Sequence, residues 1–363
     1  MAATDIDVGV RPPLRPLVEG LSAWTGAEMR KRAAEWTYRL SDVELDEIDA
    51  AVATVRARGL DLADIRREHF PLPALGPVLD GLRRDVVDGR GFVLMRGMRV
   101  AGRPIAETAT AYWGVGSYFG NARSQNSKGH LLGHVYDLEQ GLSATNPLIR
   151  SYMTAEAQKF HIDRADVVAL LCLRRAKSGG LSTIVSSMAV HNEMARRRPD
   201  LLDRLYRPFP TDRRGEVPEG KAQFYEAPVF NECEGKLSVL YSRLHIGSSQ
   251  RFPDAPRLSP QDFEALDMFG ELAGDPELRL DMDFQPGDIQ FLHNHTILHA
   301  RSAYEDWTEV EKKRHLLRLW LCPPDARPLP PVFAEVYGPD LTPGDRGGII
   351  CPGTRLHAPL VPG

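Results

Sequence analysis

The sequence predicts an α+β fold, mainly β, with a jelly-roll core and flanking helices. Helical patterns come first, over residues 41–90, and short strands crowd the later part of the chain. Those strands do not alternate with helices, so there is no βαβ rhythm, and no G-x-G-x-x-G follows a strand. At 363 residues the chain is long enough for a sizeable core without disulfides.

Residues 1–40 are expected to be an extended N-terminal arm, opened by Pro12, Pro13 and Pro16. Residues 41–90 are expected to form a helical layer packed on the core. Ser41 and Glu44 make a capping box ahead of Val43, Leu45, Ile48, Val52 and Val55, which recur at about 3.6 residues. Pro73 to Val87 repeats the pattern. Phe92 to Arg96, an apolar run between Gly91 and Gly97, reads as a buried strand. Residues 121–150 are polar and read as a long loop. Strands are expected at Gln158–Asp163 and Val167–Arg174, and a helix from Met188 capped by Ser187. A hairpin over 221–243 turns at Glu234-Gly235. Ser259-Pro260 opens a helix to about Leu272. Strands follow at Leu278–Phe284, Ile289–His293, Ile297–Ala300 and His315–Cys322, with a turn at Gln285–Asp288. Residues 91–322 are expected to form a jelly-roll domain with loop insertions, and 323–363 a C-terminal tail, all in one structural domain.

Composition excludes several functions. Lys plus Arg is 45 against 49 Asp plus Glu, a net charge of −4, which argues against a nucleic-acid partner. No apolar run is long enough for a membrane span, and no signal peptide is visible. The four cysteines form no C-x-x-C pair. A reducing cytoplasm is the expected location, and the sequence leaves a homo-oligomer open.

Chemistry enters with the histidines. His161-Ile162-Asp163 and His191-Asn192-Glu193 are His-x-acid triplets. With 11 histidines and 49 acids in 363 residues, about 1.5 such triplets arise by chance, so context decides. Residues i and i+2 share a face in a strand, so His161 and Asp163 can meet one metal. His191 and Glu193 lie in an expected helix, about 200° apart, and cannot easily do so. A third ligand can come from His293, His295 or His299. Two histidines and a carboxylate make the facial triad of non-haem Fe(II) oxygenases; zinc is the competing metal.

Six motifs occur in order: Gly91–Gly97 (GFVLMRG), Phe160–Asp163 (FHID), Gly179–Thr183 (GGLST), Gly287–Leu292 (GDIQFL), Leu298–Arg301 (LHAR) and Arg314–Arg318 (RHLLR). The set resembles the TauD/TfdA family of Fe(II)/2-oxoglutarate-dependent dioxygenases over about residues 90–322. The resemblance implies a double-stranded β-helix (jelly roll, cupin-like) core, with His161, Asp163 and His299 on iron. It implies Arg314 on the far carboxylate of 2-oxoglutarate, with Arg318 as fallback, and Ser182 beside it, with Thr183 as fallback. His293 and His295 are then expected to line the pocket. Arg318, Gln125 and Asn126 are the substrate-side candidates. The cofactors implied are Fe(II), 2-oxoglutarate and O2.

The expected reaction hydroxylates an unactivated C–H of a small, anionic organic acid or amino-acid-like metabolite, releasing succinate and CO2. Asp163 argues against halogenation; desaturation stays beside hydroxylation. The alternatives are the same chemistry on a larger natural-product intermediate, or a non-catalytic metal-binding cupin-like protein.

Overall fold

The computed structural model describes residues 15–138 and 151–362. Two sheets face each other. The larger runs in the order Thr37–Arg39, Phe92–Arg96, Ile289–His293, Val167–Arg174, His315–Cys322 and Asn121–Ala122, and Leu132–Val135 also pairs with His315–Cys322. The smaller runs Arg279–Met282, Ser182–Ser186, Ile297–Arg301 and Gln158–His161, all antiparallel. Neighbours in space are distant in sequence: Ile289–His293 lies between Phe92–Arg96 and Val167–Arg174. That is the jelly-roll arrangement.

Strand alternation assigns each side chain to a layer. On the larger sheet Val93, Met95, Val167, Ala169, Leu171, Ile289, Phe291, Leu317 and Leu319 face outward into one core cluster. They pack under the helices Asp42–Ala57, Leu75–Val87 and Ile105–Gly116. Phe92, Leu94, Val168, Leu292, Leu316 and Trp320 face inward, against Ile184, Leu280, Met282 and Ile297 of the smaller sheet. The outer side of the smaller sheet, with Val185 and Leu298, packs on Ser187–Arg197, Pro199–Arg204 and Pro260–Ala273.

The local signals act as expected at several points. Ser41 and Glu44 form the capping box of Asp42–Ala57, and Ser259 caps Pro260–Ala273. The strands Val167–Arg174, Ile289–His293 and His315–Cys322 keep their expected bounds. Phe230–Cys233 and Lys236–Val239 form the hairpin, with Glu234 (φ 49°) and Gly235 (φ 73°) both left-handed at its turn. Ser186, not Ser187, caps the helix that follows it.

The structure also adds to or departs from the sequence reading elsewhere. The arm over 1–40 is not extended throughout: Gly26–Lys31 and Ala33–Trp36 are helical, and Thr37–Arg39 joins the larger sheet. Trp24 and Trp36 cause this, burying their rings 5.0 and 5.6 Å from Phe92. The helix Ile105–Gly116 was not foreseen, because Thr108–Gly116 is buried on every side and shows no amphipathic period. The expected loop over 121–150 contains the strands Asn121–Ala122 and Leu132–Val135, while 139–150 lies outside the described residues. The tail packs on the core over its described residues, 323–362: buried Arg346 donates from Nη2 to Asp166 Oδ1 at 2.7 Å, and His295 Nε2 meets the same oxygen at 2.7 Å. No helix among the described residues is long and apolar enough to cross a membrane.

Candidate active site

The site forms where the inward faces of the two sheets part. His161 ends the strand Gln158–His161 and lies in register with His299 on the neighbouring strand. Their rings are 4.3 Å apart, centroid to centroid. Asp163 follows two residues on, with Oδ1 3.7 Å from His161 Nε2 and Oδ2 3.9 Å from His299 Nε2. One ligand atom from each of the three lies within 4.8 Å of the others.

Protonation suits a cation. The Nδ1 of His161 sits 2.9 Å from the Lys159 carbonyl, which fixes its proton there and leaves Nε2 as an acceptor. Burial lowers the pKa of His161, and burial beside His161 takes His299 down to about 3. Burial opposes charge on Asp163, but the Arg318 guanidinium leads the groups that outweigh it and hold the carboxyl at about 2. The result is two neutral imidazoles and an ionised carboxylate, the state metal ligands require. The nitrogen–nitrogen–oxygen set fits Fe(II). Trp320 Nε1 donates to Asp163 Oδ2 at 2.7 Å, and Arg318 Nη1 donates to the same oxygen at 3.2 Å. Oδ2 is thereby held from behind while Oδ1 faces His161.

A narrow recess beside Asp163 and His299 is lined by Ser182, Arg314 and Arg318. Arg314 is 4% exposed, and its Nη1 has no hydrogen-bond partner among the described residues. Gly180 lies against it with φ +70°; a Cβ there would come within 2.9 Å of Arg314 Nε. The second glycine of the Gly179-Gly180 pair thus makes room for the guanidinium. Ser182 shares the inward face with Ile184, and its Oγ donates to Gln290 Oε1 at 3.3 Å. Thr183 has the opposite parity and donates to Asp281 at 2.7 Å, so it does not reach the recess.

Other candidates fall differently. Gln125 is a buried brace: Oε1 accepts from Arg318 Nε at 2.7 Å, and Nε2 donates to the carbonyls of Leu131 and Arg318 at 3.0 and 2.8 Å. Asn126 turns back on its own loop, accepting from the amides of Lys128 and His130 at 3.1 and 3.3 Å. Neither is among the described residues that line the recess or the adjoining cavity. His293 meets Thr296 and His295 meets Asp166, both in the buried core. The turn over 294–296 breaks the strand parity that linked them to His299. His191 contacts the Tyr206 hydroxyl and Glu193 pairs with Arg196 on a helix, away from the triad.

A cavity of about 640 Å³ adjoins the triad, lined by His161, Asp163, Arg318 and Trp320 together with Arg164 and Arg214. Trp320 was missed, yet its parity with Arg318 was a usable signal. Arg164 and Arg214 carried none, because the path of a loop decides where they point.

The comparisons agree with this geometry. The family model described as "Taurine catabolism dioxygenase TauD, TfdA family" matches residues 57–320. The FR-33289 synthase of Streptomyces rubellomurinus is 32% identical over 319 residues, covering 87% of this chain and 94% of the relative. The taurine hydroxylase-like protein SAT17 of Stachybotrys chartarum is 30% identical over 83% of this chain and 81% of its own. An asparagine oxygenase structure with Fe(II), 3-hydroxyasparagine and succinate shares the fold, with TM-score 0.59 and 15% identity, over 79% of this chain and 93% of that one. With the family model over most of the chain and a relative 32% identical across it, the chain belongs to the TauD/TfdA family of dioxygenases, which use Fe(II), 2-oxoglutarate and O2.

Proposed function

We propose that this enzyme hydroxylates an unactivated C–H of a small anionic metabolite, an organic acid or an amino-acid-like compound. The observation that supports it is the pairing of the His161, Asp163 and His299 cluster with the unpartnered Nη1 of Arg314 in the adjoining recess. When bound, iron and 2-oxoglutarate supply the oxidising chemistry with O2, releasing succinate and CO2.

The chain's own residues do the positioning. His161 Nε2, His299 Nε2 and Asp163 hold the metal. Arg314 and Ser182 take the far carboxylate of 2-oxoglutarate, the guanidinium as a two-pronged donor. Arg318, braced by Gln125, holds Asp163 and faces the cavity where an anionic substrate group would sit. The inward apolar side chains around the recess keep water from the reacting atoms. A reducing cytoplasm is the compartment this reading expects. The 640 Å³ cavity supports a second reading, a larger natural-product intermediate, because it lies within the range that holds drug-sized ligands.

Anaerobic reconstitution with Fe(II) and 2-oxoglutarate, followed by a substrate screen read as succinate formed per product, tests the proposal. His161→Ala should lose iron binding and turnover together; full turnover in that variant would refute the triad.

A further inference from the structure

A buried cation is ordinarily paired with an acid, and Arg314 is held differently. Its Nη2 donates to the Gly180 carbonyl at 3.4 Å, and its Nη1 has no hydrogen-bond partner among the described residues. No carboxylate among those residues forms an ion pair with its guanidinium. Asp306 turns Oδ1 to backbone amides instead, those of Arg314 at 2.8 Å and Trp307 at 3.0 Å.

The contact on the guanidinium is the ring of Tyr304, with its centroid 5.1 Å from Arg314 Cζ. Arg301 Cζ lies 4.9 Å from the same centroid. Tyr304 is buried, and its hydroxyl has no hydrogen-bond partner among the described residues, so the phenol O–H does not place the ring. The backbone does. Tyr304 pairs with Gly179 in a short antiparallel ladder, and its amide donates to the Ala155 carbonyl at 3.1 Å. A Cβ at Gly179 would come within 2.3 Å of the Ala303 carbonyl oxygen and 3.1 Å of Tyr304 Cα. One at Gly180 would come within 2.9 Å of Arg314 Nε and 3.4 Å of Tyr304 Cβ. The two glycines thus let ring and guanidinium close on each other.

An acid and an aromatic ring fix an arginine with opposite consequences. A carboxylate neutralises the guanidinium and competes for the N–H groups that an incoming anion needs. A ring attracts the cation through its quadrupole, most strongly out of water, and takes none of those N–H groups. We propose that Tyr304 is a positioning residue for Arg314. Its ring fixes the guanidinium in the recess without neutralising it, and so sets the preference for a 2-oxo acid with a distal carboxylate over one without. This rests on the functional reading above, which places that carboxylate on Arg314.

Isothermal titration of the Fe(II)-loaded protein under argon tests it, with 2-oxoglutarate and 2-oxopentanoate as probes. The second has a methyl group in place of the far carboxylate. Tyr304→Leu should bind 2-oxoglutarate about ten-fold more weakly and 2-oxopentanoate within about two-fold of wild type. Tyr304→Phe keeps the ring and should match wild type for both. Trifluorophenylalanine at position 304 keeps the shape but strips most of the negative charge from the ring face, so 2-oxoglutarate should bind about five-fold more weakly than to Tyr304→Phe. That comparison carries the test alone where Tyr304→Leu does not fold, and unchanged iron affinity is the fold control. Equal weakening of both probes, unchanged 2-oxoglutarate affinity in a folded Leu or fluorinated variant, or a loss in Tyr304→Phe as large as in Tyr304→Leu overturns the proposal. A wild-type protein that binds 2-oxopentanoate as tightly as 2-oxoglutarate refutes the functional reading of Arg314, and the proposal with it.

Discussion

Replacing Trp320 by Phe removes one hydrogen-bond donor from Asp163 and little else. The indole is buried at 3% exposure between the sheets, and its N–H reaches Asp163 Oδ2 at 2.7 Å. A hydrogen bond to a buried ionised carboxylate contributes about 1.5–3 kcal/mol. Arg318 remains on the same oxygen at 3.2 Å, so the carboxylate keeps its charge but loses one of two anchors on Oδ2. Freed to rotate, it offers either oxygen to the metal, and iron affinity should fall about 10–100-fold, as when other groups that orient metal ligands are removed. Anaerobic competition against a chromogenic Fe(II) chelator measures this directly. Trp113→Phe is the control: its indole N–H bonds the Ile65 carbonyl at 3.1 Å in a different part of the core, so that change costs stability without touching iron. Iron affinity within about two-fold of wild type in Trp320→Phe, or an equal loss in both variants, would refute the argument that Trp320 acts through Asp163.

Ser182→Ala should raise the 2-oxoglutarate KM by about three- to ten-fold, for one lost hydroxyl bond, while Thr183→Val should leave it unchanged; the reverse pattern would contradict the strand parity. The metal-free protein should lose stability as pH falls from about 6.5 towards 4. Burial holds His299 and His315 at about 3, so below their ordinary 6.5 the unfolded chain binds protons that the folded one does not. Asp163 adds to the same loss only further down, as pH falls from the ordinary 3.8 of its carboxyl through about 2. A urea midpoint that rises on acidification across this window would be inconsistent with neutral buried histidines. Arg346→Met should destabilise by about 3–5 kcal/mol, because it strands the buried charge of Asp166 beside His295; chemical denaturation reads this, and iron affinity should not change.

Much of the fold was legible because period-two alternation and punctuating glycines act locally. Val167–Arg174 and His315–Cys322 stand out from their neighbours by apolar content alone. Ile105–Gly116 was not legible, since a helix buried all round has no polar face to mark its turn. The cluster of His161, Asp163 and His299 was within reach because residues i and i+2 of an extended stretch point the same way, although the strand itself ends at His161, while the choice of His299 over His293 and His295 needed the family pattern. Gln125 and Asn126 mark the limit. Nothing local reveals that one braces Arg318 across 193 residues while the other closes a turn. Arg214 escaped for the same reason: its direction is set by a left-handed φ that sequence patterning does not announce.

The layering of the His315–Cys322 strand also bears on how this enzyme can change over time. Leu317, Leu319 and Leu321 fill the helix-side core, while Leu316, Arg318 and Trp320 face the site. Deleting one residue would exchange the two sets at once, driving a guanidinium under the helices and leucines against the metal. Such a strand can accept substitutions but not changes in length. Evolutionary room for new substrates therefore lies in the segments that carry Arg164 and Arg214, where insertions re-aim side chains without shifting the register of the sheet.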